Sequence, residues 1–140
     1  MQNISIGDVE QIAFELARRL MSYNEPIPDY CTRFPNVLES CLAAPFQWFG
    51  GRSLYRGLIS KSSLLFYLMI KNHPFQNGNK RIAIMTMIYF LHINGRWLKI
   101  DSKRLYNFSK WVASSDPILK DQVISSIEEI LKKYTIKNNT

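Results

Sequence analysis

The residues best suited to chemistry stand in one run, His73-Pro74-Phe75-Gln76-Asn77-Gly78-Asn79-Lys80-Arg81. The imidazole at its head can take a proton from an attacking hydroxyl. Further on, Gly78 permits a tight turn with positive φ, and Asn79 is placed to cap a following helix. The unpaired N–H groups of a helix's first turn and the helix dipole favour an anion there. Lys80 and Arg81 add two positive charges, so this helix entrance is predicted to hold a phosphate with His73 a few residues upstream. Pro74 disfavours the α conformation at His73, which should stop the preceding helix near Asn72.

Other candidates carry less. Cys31 and Cys41 have neither CxxC spacing nor a nearby His, and read as buried or incidental thiols of a reducing compartment. His92, set among Phe90, Leu91 and Ile93, reads as structural or surface. Trp97 and Trp111 are expected in the core, and Trp48 is expected to pack its own loop. Lys132 and Lys133 complement the dipole near a helix end.

The elements that must position the run are helical in their periodicity. Residues 6–22 place Val9, Ile12, Phe14, Leu16, Ala17 and Leu20 broadly on one side, with Ser5 as N-cap and Asp8 in the first turn. Glu25-Pro26-Ile27-Pro28-Asp29 breaks that helix. A short helix over 35–43 follows, then Pro45-Phe46-Gln47-Trp48-Phe49-Gly50-Gly51, read as a loop or short extended stretch. Helices are predicted over 53–72, 79–94 (ended by Gly95), 101–114 (opened by Asp101) and 117–134 (Asp116 as cap, Pro117 in first position). With no repeat and no long linker, residues 1–140 are expected to form one all-α domain of about six helices.

Composition supports a packed core: 46% of the 140 residues are hydrophobic and 13% aromatic, which excludes disorder. The net charge of +7 is concentrated, because between Glu39 and Asp101 lie eight Lys/Arg and no carboxylate. Paired-carboxylate catalysis and carboxylate ligation of a metal are therefore excluded for 40–100, and a polyanionic partner is favoured. The longest apolar run, Ile82–Ile93, is too short to span a bilayer. Polar residues near the start (Gln2, Asn3, Asp8, Glu10) argue against a signal peptide, so a cytoplasmic protein with no membrane partner is expected.

Residues 73–81 resemble the signature of the Fic/Doc family, H-P-F-x-[D/E]-G-N-[G/K]-R. Lys80 in place of Gly, and Ile84 where Fic adenylyltransferases usually carry a second Arg, draw the chain towards the death-on-curing (Doc) branch. Leu38-Glu39-Ser40 through Pro45-Phe46-Gln47 and Gly50-Gly51 is similar to the upstream flap of Doc-like toxins. Lys71-Asn72-His73 and Phe90-Leu91-x-x-Asn94-Gly95 follow the same pattern.

The resemblance implies a compact Fic-fold bundle with a short flap loop or hairpin. It implies His73 as general base on a protein hydroxyl, and Gly78, Asn79, Lys80 and Arg81 as ligands of ATP phosphates. Phe75 would anchor the loop in the core. Phe46, Gln47, Trp48, Phe49, Gly50 and Gly51 would form the flap that pins an extended target segment. In the Doc branch the γ-phosphoryl group passes to a Ser/Thr hydroxyl of a translation factor, elongation factor Tu, and a separate antitoxin restrains the toxin. Asn77 replaces the family's Asp or Glu at the Mg²⁺ position, so magnesium would be weakly held. Adenylyl transfer by the same site, or a non-catalytic interaction module, are the alternatives. Nucleic-acid binding is disfavoured because no helix carries the outward Arg/Lys/Asn pattern of a groove reader.

Overall fold

The computed structural model describes residues 1–21 and 26–138, and within them the chain is built around six helices, one small hairpin and one two-stranded antiparallel ribbon. Helix α1 has three consecutive parts, Ile6–Asp8, a π-helical stretch Val9–Ala13, and Phe14–Leu20. The remaining helices are α2 (Pro35–Ala43), α3 (Gly57–Lys71), α4 (Asn79–Ile93), α5 (Ser102–Ser114) and α6 (Lys120–Tyr134). The expected all-α architecture is observed. Ser22 and Glu25, read as helix end and helix break, lie outside the described residues; Pro26 to Asp29 are non-helical.

Local chemistry sets the helix starts. Ser5 and Asp8 form a reciprocal capping box, with Ser5 Oγ accepting from the Asp8 N–H at 3.1 Å and Asp8 from the Ser5 N–H at 2.9 Å. Asp101 accepts from the Arg104 N–H at 3.2 Å and Asp116 from the Ile118 N–H at 3.0 Å. Pro117 opens a 3₁₀ turn, Pro117–Leu119, and α6 begins only after it.

At the centre lie α3 and α4, packed along each other and joined by the loop 72–78. Helix α3 buries nearly its whole circumference, including every residue from Lys61 to Tyr67, so it has no solvent stripe of the usual kind. Buried residues from all six helices join one hydrophobic cluster, in which Phe14, Phe66 and Phe90 are among the largest fully buried side chains. Each such side chain contributes about 1.5–3 kcal/mol by leaving water.

Strands β1 (Trp48–Phe49) and β2 (Arg52–Ser53) pair antiparallel. Strands β3 (Arg96–Leu98) and β4 (Thr135–Lys137) do the same, tying the end of α4 to the end of α6. Three aromatic expectations are corrected here. Trp97 (47% exposed) points outward from β3 while its neighbour Leu98 points in, because strand side chains alternate. Trp111 (48% exposed) stacks on Phe108 at 5.5 Å along α5 instead of entering the core. Trp48 (70% exposed) stands away from the body and does not pack its own loop. His92 is exposed as expected, with Trp97 edge-on at 6.5 Å. Among the described residues no helix is long and apolar enough to cross a membrane.

Candidate active site

Helix α3 ends at Lys71 and Asn72 caps it, as the proline two residues on requires. The Lys71 ammonium donates to the Ala113 and Ser115 carbonyls at 3.2 and 2.5 Å, fixing the end of α3 to the end of α5. His73 follows with φ 51°, the one non-glycine at positive φ among the described residues. That conformation costs about 1–2 kcal/mol in an L-residue and must be held by its neighbours. It turns the chain so that the exposed imidazole stands outside while Pro74 and Phe75 go inward.

Phe75 anchors the loop as expected. Its ring lies 5.5 Å from that of Phe14 and 6.0 Å from that of Tyr30. The Phe34 N–H also donates to the Pro74 carbonyl at 2.8 Å, so the segment before α2 is laced to the loop.

Asn79 is the staple. Its Oδ1 accepts from the Phe75 N–H at 2.9 Å and its Nδ2 donates to the Phe75 carbonyl at 2.8 Å. The same Nδ2 lies 3.4 Å from His73 Nδ1, which limits rotation of the imidazole. The expectation that Asn79 caps α4 is thus corrected. The cap position belongs to Gly78, at φ 79°, and no side chain caps the helix. Asn79 is the first helical residue, past the cap position, and its side chain turns back to Phe75, so the first-turn N–H groups of α4 can receive an anion. Gly78 has a second reason to be glycine: a Cβ there would stand 2.7 Å from Ile27 Cγ1. Asn77 Oδ1 accepts from the Gly78 N–H at 2.8 Å, bracing the same turn.

The two basic residues at the entrance part company. Lys80 is half-buried at the surface, whereas Arg81 is 3% exposed and donates to the Met21 carbonyl at 3.0 Å. Successive helical residues are turned by about 100°, which sets Arg81 inward while Lys80 stays at the surface. Arg81 therefore lies beneath the Gly78 turn and holds the end of α1 against it.

Gly50 and Gly51 both have positive φ, 59° and 79°, the pattern of a two-residue hairpin turn. The expected flap is this hairpin, β1–β2. Its feet are tied to α3 and α4: the Phe46 ring meets the Phe90 ring edge-on at 5.7 Å. Lys61 on α3 donates to Ser53 Oγ at 2.9 Å and to the Tyr55 carbonyl. Along α3, Lys61 at the feet precedes His73 by twelve residues, an axial rise of about 18 Å. An extended segment of about five residues spans such a gap.

The reading of isolated motifs missed Lys61, although its spacing could have found it. Lys61 shares a face with Leu64, Leu65 and Leu68, and a cation on a core face marks an unusual environment. Among the described residues no cluster of three or more His, Cys, Asp or Glu could hold a metal ion.

Residues 5–91 match the Fic/DOC family, more than half of the chain, and they include the flap hairpin, α3, the loop and most of α4. The chain belongs to the Fic/DOC family. Within that family it is similar to the protein named Toxin Doc from Mycolicibacterium smegmatis, with 35% identity over 65 residues. That similarity covers 46% of this chain and 50% of the relative, so it spans half of the relative's length. No solved structure matches the chain significantly. The Fic/DOC assignment agrees with the all-α bundle and with the loop between its two central helices.

Proposed function

We propose that this Fic/DOC member is a Doc-like toxin that transfers the γ-phosphoryl group of ATP to a Ser or Thr hydroxyl of a protein, with a translation factor such as elongation factor Tu as acceptor. The observation that carries the reading is the Asn79 staple, which places an exposed His73 beside an uncapped helix N-terminus flanked by Lys80. Phosphate oxygens would be received by the first-turn N–H groups of α4 and by Lys80, with Gly78 allowing close approach. Arg81 would add positive potential from beneath, its guanidinium bonded to Met21. His73 would accept the hydroxyl proton as the acceptor oxygen bonds to the γ-phosphorus and the bond to the β-phosphate oxygen breaks, releasing ADP.

Asn77 offers a neutral amide oxygen that already accepts from the Gly78 N–H, so these residues do not form a strong resident magnesium site. Magnesium would arrive on the nucleotide phosphates, with Asn77 as a weak additional ligand. The flap would hold the acceptor segment by strand addition. An antitoxin partner, and action in the cytoplasm, follow from the same reading.

Incubation with γ-labelled ATP, magnesium and a bacterial extract tests it. One protein should become labelled, and His73→Ala should abolish the label. Label arriving from α-labelled ATP would establish adenylyl transfer instead. No transfer from either nucleotide would leave a non-catalytic interaction module.

A further inference from the structure

A hairpin with two residues in each strand cannot hold its own shape in water. The flap gains little from the core, since Trp48 and Phe49 at its tip are 70% and 78% exposed. Something at its feet must fix it. Lys61 stands there, 8% exposed on α3. Its ammonium donates to Ser53 Oγ at 2.9 Å in β2 and to the carbonyl of Tyr55 just beyond. It also lies 5.5 Å from the centre of the Phe46 ring, the residue that enters the hairpin. One cation therefore grips both feet. The grip continues into the body, because the far side of the flap entrance, Phe46, packs on Phe90 of α4.

Lysine is an expensive choice for this position. Among the described residues its ammonium has no carboxylate partner; the ion pairs there join Glu15 to Arg18 and Arg19. Burial without a counter-ion disfavours the charged form, and desolvation holds this ammonium below the ordinary lysine value. An apolar side chain would fill the same space beside Phe46 without that cost, but it could not bond the Ser53 hydroxyl and the Tyr55 carbonyl on one side of the hairpin while facing the Phe46 ring on the other. What the cation supplies is the orientation of the hairpin on α3.

We infer that Lys61 is the positioning residue of the flap, setting the pose of β1–β2 for the acceptor protein without touching the reacting atoms. The inference rests on the phosphoryl-transfer reading for its functional half only; the mechanical half stands on the contacts. It separates two parts of the site: His73 and its loop perform the transfer, while Lys61, about 18 Å away along α3, governs how well the acceptor is presented.

Amide hydrogen exchange and steady-state labelling test the two halves, using wild type, Lys61→Met, Lys61→Arg and Ser53→Ala. In Lys61→Met the amides of residues 47–54 should exchange at least about tenfold faster, with those of α4 unchanged, as expected for loss of a charge-assisted bond. The KM for acceptor protein should rise by about tenfold or more while kcat and the KM for ATP are kept. Lys61→Arg should restore part of both effects. Ser53→Ala, which leaves α3 intact and so tests the clamp even if Lys61→Met fails to fold, should change both in the same direction by less. Hairpin exchange at the wild-type rate in Lys61→Met, or in Ser53→Ala should the former not fold, overturns the clamp whatever the activity. Faster exchange with an unchanged acceptor KM overturns its role in presentation. An inactive wild type refutes the phosphoryl-transfer reading, and the exchange data alone then decide whether Lys61 holds the flap.

Discussion

At the scale of single residues, the site is built from side chains turned to uncharged backbone groups. Asn79 serves both polar groups of Phe75, Asn77 serves the Gly78 N–H, and Arg81 serves the Met21 carbonyl. Asn77 is the position where a single change is most informative. Its Oδ1 accepts from the Gly78 N–H, and a carboxylate oxygen does that equally well while adding a negative charge for a cation on the phosphates. Asn77→Asp is therefore expected to keep the fold and to lower the magnesium concentration giving half-maximal labelling by several-fold. A magnesium titration of the labelling rate checks this. A folded Asn77→Asp protein that still transfers nothing would favour the non-catalytic reading. His73 makes a complementary point: its positive φ places a strained residue where chemistry is proposed, held by Pro74 going inward and by Asn79.

At the scale of elements, the helices were largely legible and the small strands were not. The boundaries of α4 and α5 follow from Gly95, Asp101 and the apolar spacing, each a local signal. The π-helical stretch Val9–Ala13 was not foreseen, because so short an i→i+5 stretch hardly disturbs an apolar stripe; its bond from the Phe14 N–H to the Val9 carbonyl becomes visible only in the backbone. Strand β3 was missed because its partner β4 lies at the other end of the C-terminal half, so pairing Trp97 with Ile136 depends on the packing of α5 and α6 between them. The residues of the flap read as a loop or short extended stretch and the resemblance added a loop or hairpin, and its turn is the part a mutation can isolate. Nothing lies within 4 Å of a Cβ added at Gly50 or Gly51, so only the backbone conformation resists a side chain. Gly51→Ala should cost the hairpin about 1–2 kcal/mol. The melting temperature should stay nearly constant, because the hairpin tip is outside the core. Calorimetry alongside acceptor KM would check it: a raised KM with an unchanged melting temperature is expected, and Gly51→Asn should be milder, since Asn tolerates this conformation.

At the scale of the whole molecule, the basic middle of the chain has a different meaning in three dimensions. Lys61, Lys71 and Arg81 spend their charges on carbonyl and hydroxyl oxygens between elements, so part of the excess works as internal ties and is not offered to a polyanion. Burial also shapes the response of the fold to alkali. The Cys41 thiol, at 0% exposure, is pushed by desolvation from 9.0 up to about 11, and burial raises Tyr67 and Tyr30 as well. A thiol that stays protonated in the fold but ionises when unfolded contributes its full stability below pH 9 and loses it as the pH rises to about 11. The urea midpoint should therefore fall across pH 9–11. Cys41→Ala, though less stable at neutral pH, should show a shallower fall; an identical slope would contradict the burial argument. By itself, the amino-acid sequence determined the helices, the capped entrances, the loop from His73 to Arg81 and the membership they announce, because these depend on neighbours within a few residues. Tertiary structure alone decided which way each cation turned, that Asn79 holds Phe75 instead of capping α4, that Trp97 and Trp111 face outward, and that Lys61 stands under the flap. Those outcomes depend on atoms brought together from distant parts of the chain, where burial and the supply of free oxygens, not residue type, choose the partner.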